Sequence, residues 1–185
     1  MAKNQSAPGT LELVRQFVNT VDLEQNEERL PTPEALSTWL AEQRLIPAPA
    51  PADAEDLQHA IELREALRAI LLAHNGGPAA PQAAGETLDE AARRARLQLR
   101  FRGSDVALEP EADGVDAGLG RLLAIVQAAI AERTWERLKA CREHTCERAF
   151  YDHTKNHSGA WCNMRVCGNR AKARAYRERQ VQTDS

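Results

Sequence analysis

A chain of 185 residues with 43% hydrophobic content is long enough to bury one core, and 28% charged residues with a formal charge of −3 make it an ordinary globular sequence. The charge is uneven: residues 1 to 140 carry 15 Lys or Arg against 22 Asp or Glu, whereas residues 141 to 180 carry 9 against 4, so an acidic body precedes a basic tail. The first ten residues, MAKNQSAPGT, hold no apolar export segment and no stretch approaches eighteen apolar residues, so the expectation is a cytoplasmic protein with reduced thiols and no membrane span.

Leu11, Val14, Phe17, Val18 and Val21 recur at three- and four-residue steps and predict one face of a first helix. Asn19 and Thr20 follow it; a pocket lining is the alternative to the expected cap and turn. Thr32 as N-cap and Pro33 at the first helical position start a second helix whose Leu36, Trp39 and Leu40 face inward. PAPAP, residues 47 to 51, reads as a stiff extended link. A long central helix runs from Asp53 to about His74 on Leu57, Ile61, Leu63, Leu67, Ile70 and Leu71, and stops at Asn75, Gly76, Gly77 and Pro78. On it Arg64 and Arg68 could clamp an anion, but a solvated face whose stems cover apolar surface is the expectation.

Residues 78 to 85 are rich in Ala, Pro and Gly and predict a mobile loop before a short helix from about Glu86 to Arg96. The period then changes to two: Leu97, Leu99 and Phe101 alternate with polar residues, a turn falls at Arg102 to Asp105, and Val106 and Leu108 alternate again, which predicts one hairpin near 97–109. A last body helix from about Asp116 to Arg133 carries the stripe Leu119, Leu122, Leu123, Val126, Ala129 and Ile130, and Thr134 to Lys139 suggests a further helical turn. Glycine-rich phosphate loops, G-x-S-x-G and H-E-x-x-H are all absent, so no enzyme signature is present.

All four cysteines fall in one window as C-x4-C, fifteen residues, C-x4-C: Cys141, Cys146, Cys162 and Cys167. Two disulfides are the alternative in an oxidising compartment; with reduced thiols, two short loops each supplying an edge of a tetrahedron point to one zinc ion per chain. His144, His153 and His157 lie between the pairs, but a two-Cys, two-His site would strand Cys162 and Cys167, so the histidines read as polar loop residues. Four protein ligands leave no open position, which makes the zinc structural. Phe150, Tyr151 and Trp161 fall within twelve residues in a chain of eight aromatics, and Phe150 and Trp161 are expected to pack around the metal rather than stack on bases.

Gly168 is expected to permit a tight turn and Asn169 to cap a helix beginning near Arg170. Six basic residues against one acid lie between Cys162 and Gln180. Arg165, Arg170 and Lys172 could neutralise a zinc-thiolate centre of formal charge −2, yet the excess favours phosphate contact, with Arg165, Asn169, Arg170, Lys172, Arg174, Arg177 and Arg179 as the candidate nucleic-acid-binding set.

CREHTC, FYD and WCNMRVCGNRAK together resemble the CGNR zinc finger, and FVNTVD, PEALSTWL and LREALRAILLA resemble the ABATE domain that precedes it. The resemblance implies zinc on Cys141, Cys146, Cys162 and Cys167 and a bacterial transcription regulator of stress-induced type. The family often carries two arginines before the Trp, where this chain has Gly159 and Ala160 in a loop expected to face a phosphate backbone. The expected architecture is α+β: a mainly α-helical, ABATE-like N-terminal domain over 1–137 with one hairpin, then a treble-clef-like zinc finger over 138–185 ending in a basic helix. DNA is the expected partner, with a small-molecule effector and a homodimer as further expectations. The alternative is a zinc-stabilised protein-interaction or RNA-binding module, its helix packed against the chain's own acidic body.

Overall fold

The computed structural model describes residues 5–183; residues 1–4 and 184–185, the outer ends of the two expected domain ranges, lie outside them. Helix α1 (Leu11–Val18) buries Leu11, Val14, Phe17 and Val18. Val21, expected on the same face, belongs instead to strand β1 (Val21–Asp22), because the helix closes where the Thr20 hydroxyl donates to Phe17 O at 2.8 Å. Strand β1 pairs antiparallel with β2 (Glu27–Glu28). Helix α2 (Pro33–Glu42) starts as its residues dictate, the Thr32 side chain accepting from Ala35 N. Leu36 and Leu40 are buried, and the Trp39 ring lies 5.6 Å from Phe17. The proline-rich link is tethered: the Ser37 hydroxyl donates to Ala50 O and accepts from Ala50 N, both at 2.7 Å.

Helix α3 (Ala54–His74) opens on a capping box between Asp53 and Asp56 and buries Leu63, Leu67 and Leu71. Arg64 and Arg68 correct the sequence reading: they are not a solvated face but 4% and 3% exposed. A buried guanidinium needs partners for its donors, and both find them. Arg64 Nη1 donates to Thr20 Oγ1 (3.1 Å) and Glu28 Oε1 (2.8 Å), Arg68 Nη2 donates to Val18 O (2.7 Å), and both bond to Glu65 at 2.9 Å. They therefore staple the turn after α1 onto α3.

Helix α4 (Gln82–Arg94) begins at Gln82 rather than near Glu86, so the connecting loop is shorter than its composition suggests. Strands β3 (Leu97–Arg102) and β4 (Asp105–Pro110) form the expected hairpin, turning at Gly103. Helix α5 (Gly114–Ala131) buries Val115, Leu119, Leu122, Leu123, Val126 and Ala129. By length and composition alone it could cross a membrane, but it carries Asp116 and Arg121 and half of it is buried within this fold.

One hairpin was expected and three two-stranded sheets are present among the described residues. After a 3-10 turn at Trp135–Arg137, strand β5 (Leu138–Ala140) replaces the expected helical continuation and pairs with β6 (Ala149–Tyr151). Leu138, Ala140, Ala149 and Tyr151 lie in the same buried cluster as Phe17, Leu67 and Leu122. The hairpin that launches the first cysteine pair is thus rooted in the core of the body.

Candidate zinc centre and basic helix

Cys141 follows β5 directly, and its N–H donates to Arg148 O (3.0 Å), closing the loop that carries Cys146. Arg142 N donates to Ala160 O (3.1 Å), which lays the second cysteine loop alongside the first. The four sulfurs lie within 4.8 Å of one another, with Cys146 Sγ to Cys162 Sγ at 3.6 Å and Cys162 Sγ to Cys167 Sγ at 3.7 Å. A tetrahedron of Zn–S bonds of about 2.3 Å has edges of about 3.8 Å, so the donor set fits the ion in size and softness.

Backbone amides of Glu143 and Arg148 donate to the sulfurs of Cys141 and Cys146. The four sulfurs compete for ionisation: hydrogen bonds from Cys141 and Cys162 favour the Cys146 thiolate, while burial and its charged neighbours push the Cys167 thiol up. A divalent ion removes that conflict by making every sulfur a thiolate. The four cysteines can hold one zinc ion.

The histidines stay outside the cluster. His144 Nδ1 faces Glu143 Oε1 (3.2 Å), and His153 Nε2 lies 2.9 Å from Ser6 O with its ring against Tyr151. His157 offers its carbonyl to Lys139 Nζ at 2.6 Å. Trp161 packs half-buried against the cysteines, as expected, whereas Phe150 is buried without joining their cluster.

Asp152, the acid of the FYD segment, organises the loop between the pairs. Its carboxylate accepts from Lys139 Nζ (2.8 Å), Thr154 Oγ1 (2.7 Å), Thr154 N (2.9 Å) and Gly159 N (2.8 Å). Burial works to raise its pKa, but these bonds, Lys139 foremost, hold the carboxyl well below the usual range. Lys139 and Asp152 are 4% and 2% exposed, a buried pair that sequence reasoning missed because Asp152, just past β6, meets Lys139 of β5 only once the hairpin folds. Gly159 and Ala160 do not face outward: a Cβ on Gly159 would stand 2.8 Å from Asp152 Oδ1, and Ala160 is buried.

The turn into the last helix also differs from expectation. The Asn163 side chain accepts from Arg165 N (2.9 Å) and opens a π turn, Met164–Gly168, that runs straight into α6 (Asn169–Thr183). Asn169 has helical φ −71 and ψ −37, so it is inside the helix, donating to Arg165 O at 2.9 Å, and is not its N-cap. Gly168 is buried beneath Met164, whose flexible side chain would have to shift to admit a Cβ there.

Of the expected nucleic-acid set, Arg165, Asn169, Arg170, Lys172, Arg177 and Arg179 are exposed and Arg174 is half-buried. Arg174 donates through both Nη atoms to the Glu143 carboxylate (3.0 and 3.1 Å), which is 1% exposed and held below the usual carboxylate range by that contact. Arg174 thereby braces α6 to the first cysteine loop. Arg170 Nη2 lies 2.6 Å from Glu24 Oε1 in the turn between β1 and β2.

The docking of this module was the largest feature missed. Asn75, the C-cap of α3, donates through Nδ2 to Ala140 O (2.7 Å) and Ala160 O (2.8 Å), one carbonyl from each cysteine loop. Its own carbonyl accepts from Arg142 Nε, beside Gly76, whose φ of +72 favours glycine. Asn19 Nδ2 donates to Ala149 O (2.9 Å) and its Oδ1 accepts from Ala149 N (2.8 Å). Arg68 Nη1 reaches Glu147 O (3.0 Å), His74 Nδ1 lies 3.0 Å from Leu138 O, and Gln5 bonds to Cys162 O. Asn19 is a cap, as its type suggested, and a docking group as well.

A mainly helical body, a docked four-cysteine centre and a basic helix leaving the last cysteine define a zinc-module protein. The chain belongs to the ABATE family, described as "Putative stress-induced transcription regulator", whose family model matches residues 11–140; the CGNR zinc finger model matches residues 137–180. No curated protein matches the chain. Both descriptions are of regulator or zinc-finger type rather than of an enzyme. The family segments acquire a physical meaning here, because FVNTVD and LREALRAILLA contain Asn19, Arg64 and Arg68, the groups that fasten the first helix and the finger to α3.

Proposed function

We propose that the protein is a cytoplasmic DNA-binding regulator in which one structural zinc ion per chain, on Cys141, Cys146, Cys162 and Cys167, fixes a basic helix against an acidic ABATE-like body (1–137) that senses or dimerises. The observation that carries this is the exposed basic surface of residues 165–179: Arg165, Asn169, Lys172, Arg177 and Arg179 face solvent, with Tyr176 58% exposed beside them. Cations arrayed on one helix neutralise phosphates and release counterions. Arg174 leaves the contact set and becomes the brace that sets the helix angle through Glu143. The sensing role rests on the family description, and an effector is part of it.

A second reading, a structural clip whose helix is held by the chain's own carboxylates, is favoured by the Arg170 to Glu24 ion pair. Both charges are substantially exposed, so that pair is weak and competes with a phosphate rather than excluding it. Anisotropy titration of labelled duplex DNA, single-stranded DNA and RNA with zinc-loaded protein at about 50 mM salt tests the proposal. Duplex binding weakened by Lys172→Ala with Arg177→Ala and strengthened by Glu24→Gln is expected; no binding of any duplex overturns it, and preference for RNA replaces the partner.

A further inference from the structure

Residues 22–28 read DLEQNEE, four acids and no base, and lie in the hairpin of β1 and β2. Its turn is built rather than loose: Asp22 Oδ1 accepts from Glu24 N (3.0 Å) and Gln25 N (3.1 Å), while at the base Glu28 Oε1 accepts from Leu30 N and from Arg64 Nη1, both at 2.8 Å. Two arginines of the finger reach this turn from different elements. Arg148 comes from the first cysteine loop to Asp22, and Arg170 comes from α6 to lie 2.6 Å from Glu24. Carboxylates two residues apart on one fixed turn thus hold both guanidinium groups on the same side of the finger.

Arg148 lies outside the set expected from the sequence, because it precedes the second cysteine pair and has no basic neighbour. Its backbone serves the metal loop, the carbonyl accepting from Cys141 N and the amide donating to the Cys146 sulfur, whereas its side chain extends to Asp22 and stays 43% exposed. Arg170 is 46% exposed. Ion pairs this open to water add little stability, so they are weak staples. They exchange for a phosphate, which takes a guanidinium through two parallel hydrogen bonds as a carboxylate does. Arg170 belongs to the exposed cations of residues 165–179, so the positive surface continues from α6 onto the first cysteine loop at Arg148.

We propose that Arg148 and Arg170 together bind the phosphate backbone of duplex DNA, and that in its absence the carboxylates of Asp22 and Glu24 occupy this patch as a built-in competitor. This rests on the duplex-binding function proposed above and adds to it one contact, Arg148, and one regulating element, the β1–β2 turn. DNA reaches full affinity only by displacing both carboxylates, so the acidic body sets the threshold at which the finger engages a duplex.

Anisotropy titration of duplex DNA with the full zinc-loaded chain tests this through a mutant cycle. Asp22→Asn with Glu24→Gln keeps an acceptor oxygen for the turn and removes both charges; it should tighten binding about fivefold, about twofold for each exposed pair released. Arg148→Ala made in that background should weaken binding and lower the salt slope by about one. With Arg148→Ala and Arg170→Ala both present, the Asp22 and Glu24 changes should gain less than about twofold, since no masked cation is left to release. A full gain without the arginines shows general charge repulsion and overturns the competitor. Wild-type binding with no gain in Asp22→Asn/Glu24→Gln, or a slope indifferent to Arg148→Ala, overturns it as well. These results leave duplex binding itself standing, whereas no duplex binding by either the wild type or Asp22→Asn/Glu24→Gln overturns that function and this inference together.

Discussion

Lys139 and Asp152 are each nearly without solvent, and Lys139 Nζ lies 2.8 Å from Asp152 Oδ2. Removing one charge leaves the other buried and unpaired, so Asp152→Asn should destabilise the protein by about 3–5 kcal/mol in urea denaturation. The sign of the pH dependence follows from the depressed carboxyls of Asp152 and Glu143. A carboxyl lowered on folding contributes stability that is present above its unfolded pKa and lost as pH falls through the folded one. The acid limb of the stability curve below about pH 4 should therefore flatten in Asp152→Asn. Arg174→Ala should quicken amide exchange in α6 and weaken zinc retention while leaving the salt slope of nucleic-acid binding intact, because Arg174 already serves Glu143. The cysteines were legible in the sequence since ligand spacing is local. The Lys139–Asp152 pair and the Arg174–Glu143 brace were not, since both depend on how loops fold back.

At the scale of elements, the C-cap of α3 does more than end a helix. Asn75→Ala leaves the buried carbonyls of Ala140 and Ala160 without their donor, which should destabilise by about 1–3 kcal/mol and speed zinc loss to a chelator, read by thermal melting and a metal indicator. Long periodic segments declared themselves: α2, α3, α5 and the β3–β4 hairpin lie where apolar spacing and turn residues put them. The strands β1, β2, β5 and β6 did not, because two or three residues show no period. Asn169 was misplaced because an N-cap residue type also suits a helix interior when its side chain finds a carbonyl, here that of Arg165. Arg64 and Arg68 were misjudged because helical spacing says which residues share a face but not that a turn will supply carbonyls to a buried guanidinium.

Across the whole molecule, composition suggested an acidic body and a basic finger side by side, and the fold joins them. Leu138, Ala140, Ala149 and Tyr151 fill the body core while the loops between and after their strands carry the cysteines. Stripping zinc should therefore lower the melting temperature of the body as well as unfold the finger, in one transition followed by circular dichroism, with Cys162→Ser reproducing the effect. The charge asymmetry keeps its meaning in the fold, since Arg165, Arg170, Lys172, Arg177 and Arg179 are exposed on α6 and the turn before it, and Glu24 of the body pairs with Arg170. The most direct test is the affinity of the zinc-loaded protein for a DNA duplex measured across a salt series. The expected result is a linear fall of log affinity with log salt, whose slope shrinks by about one in Lys172→Ala and is unchanged in Arg174→Ala; absence of binding at low salt, or a slope indifferent to Lys172, would contradict it.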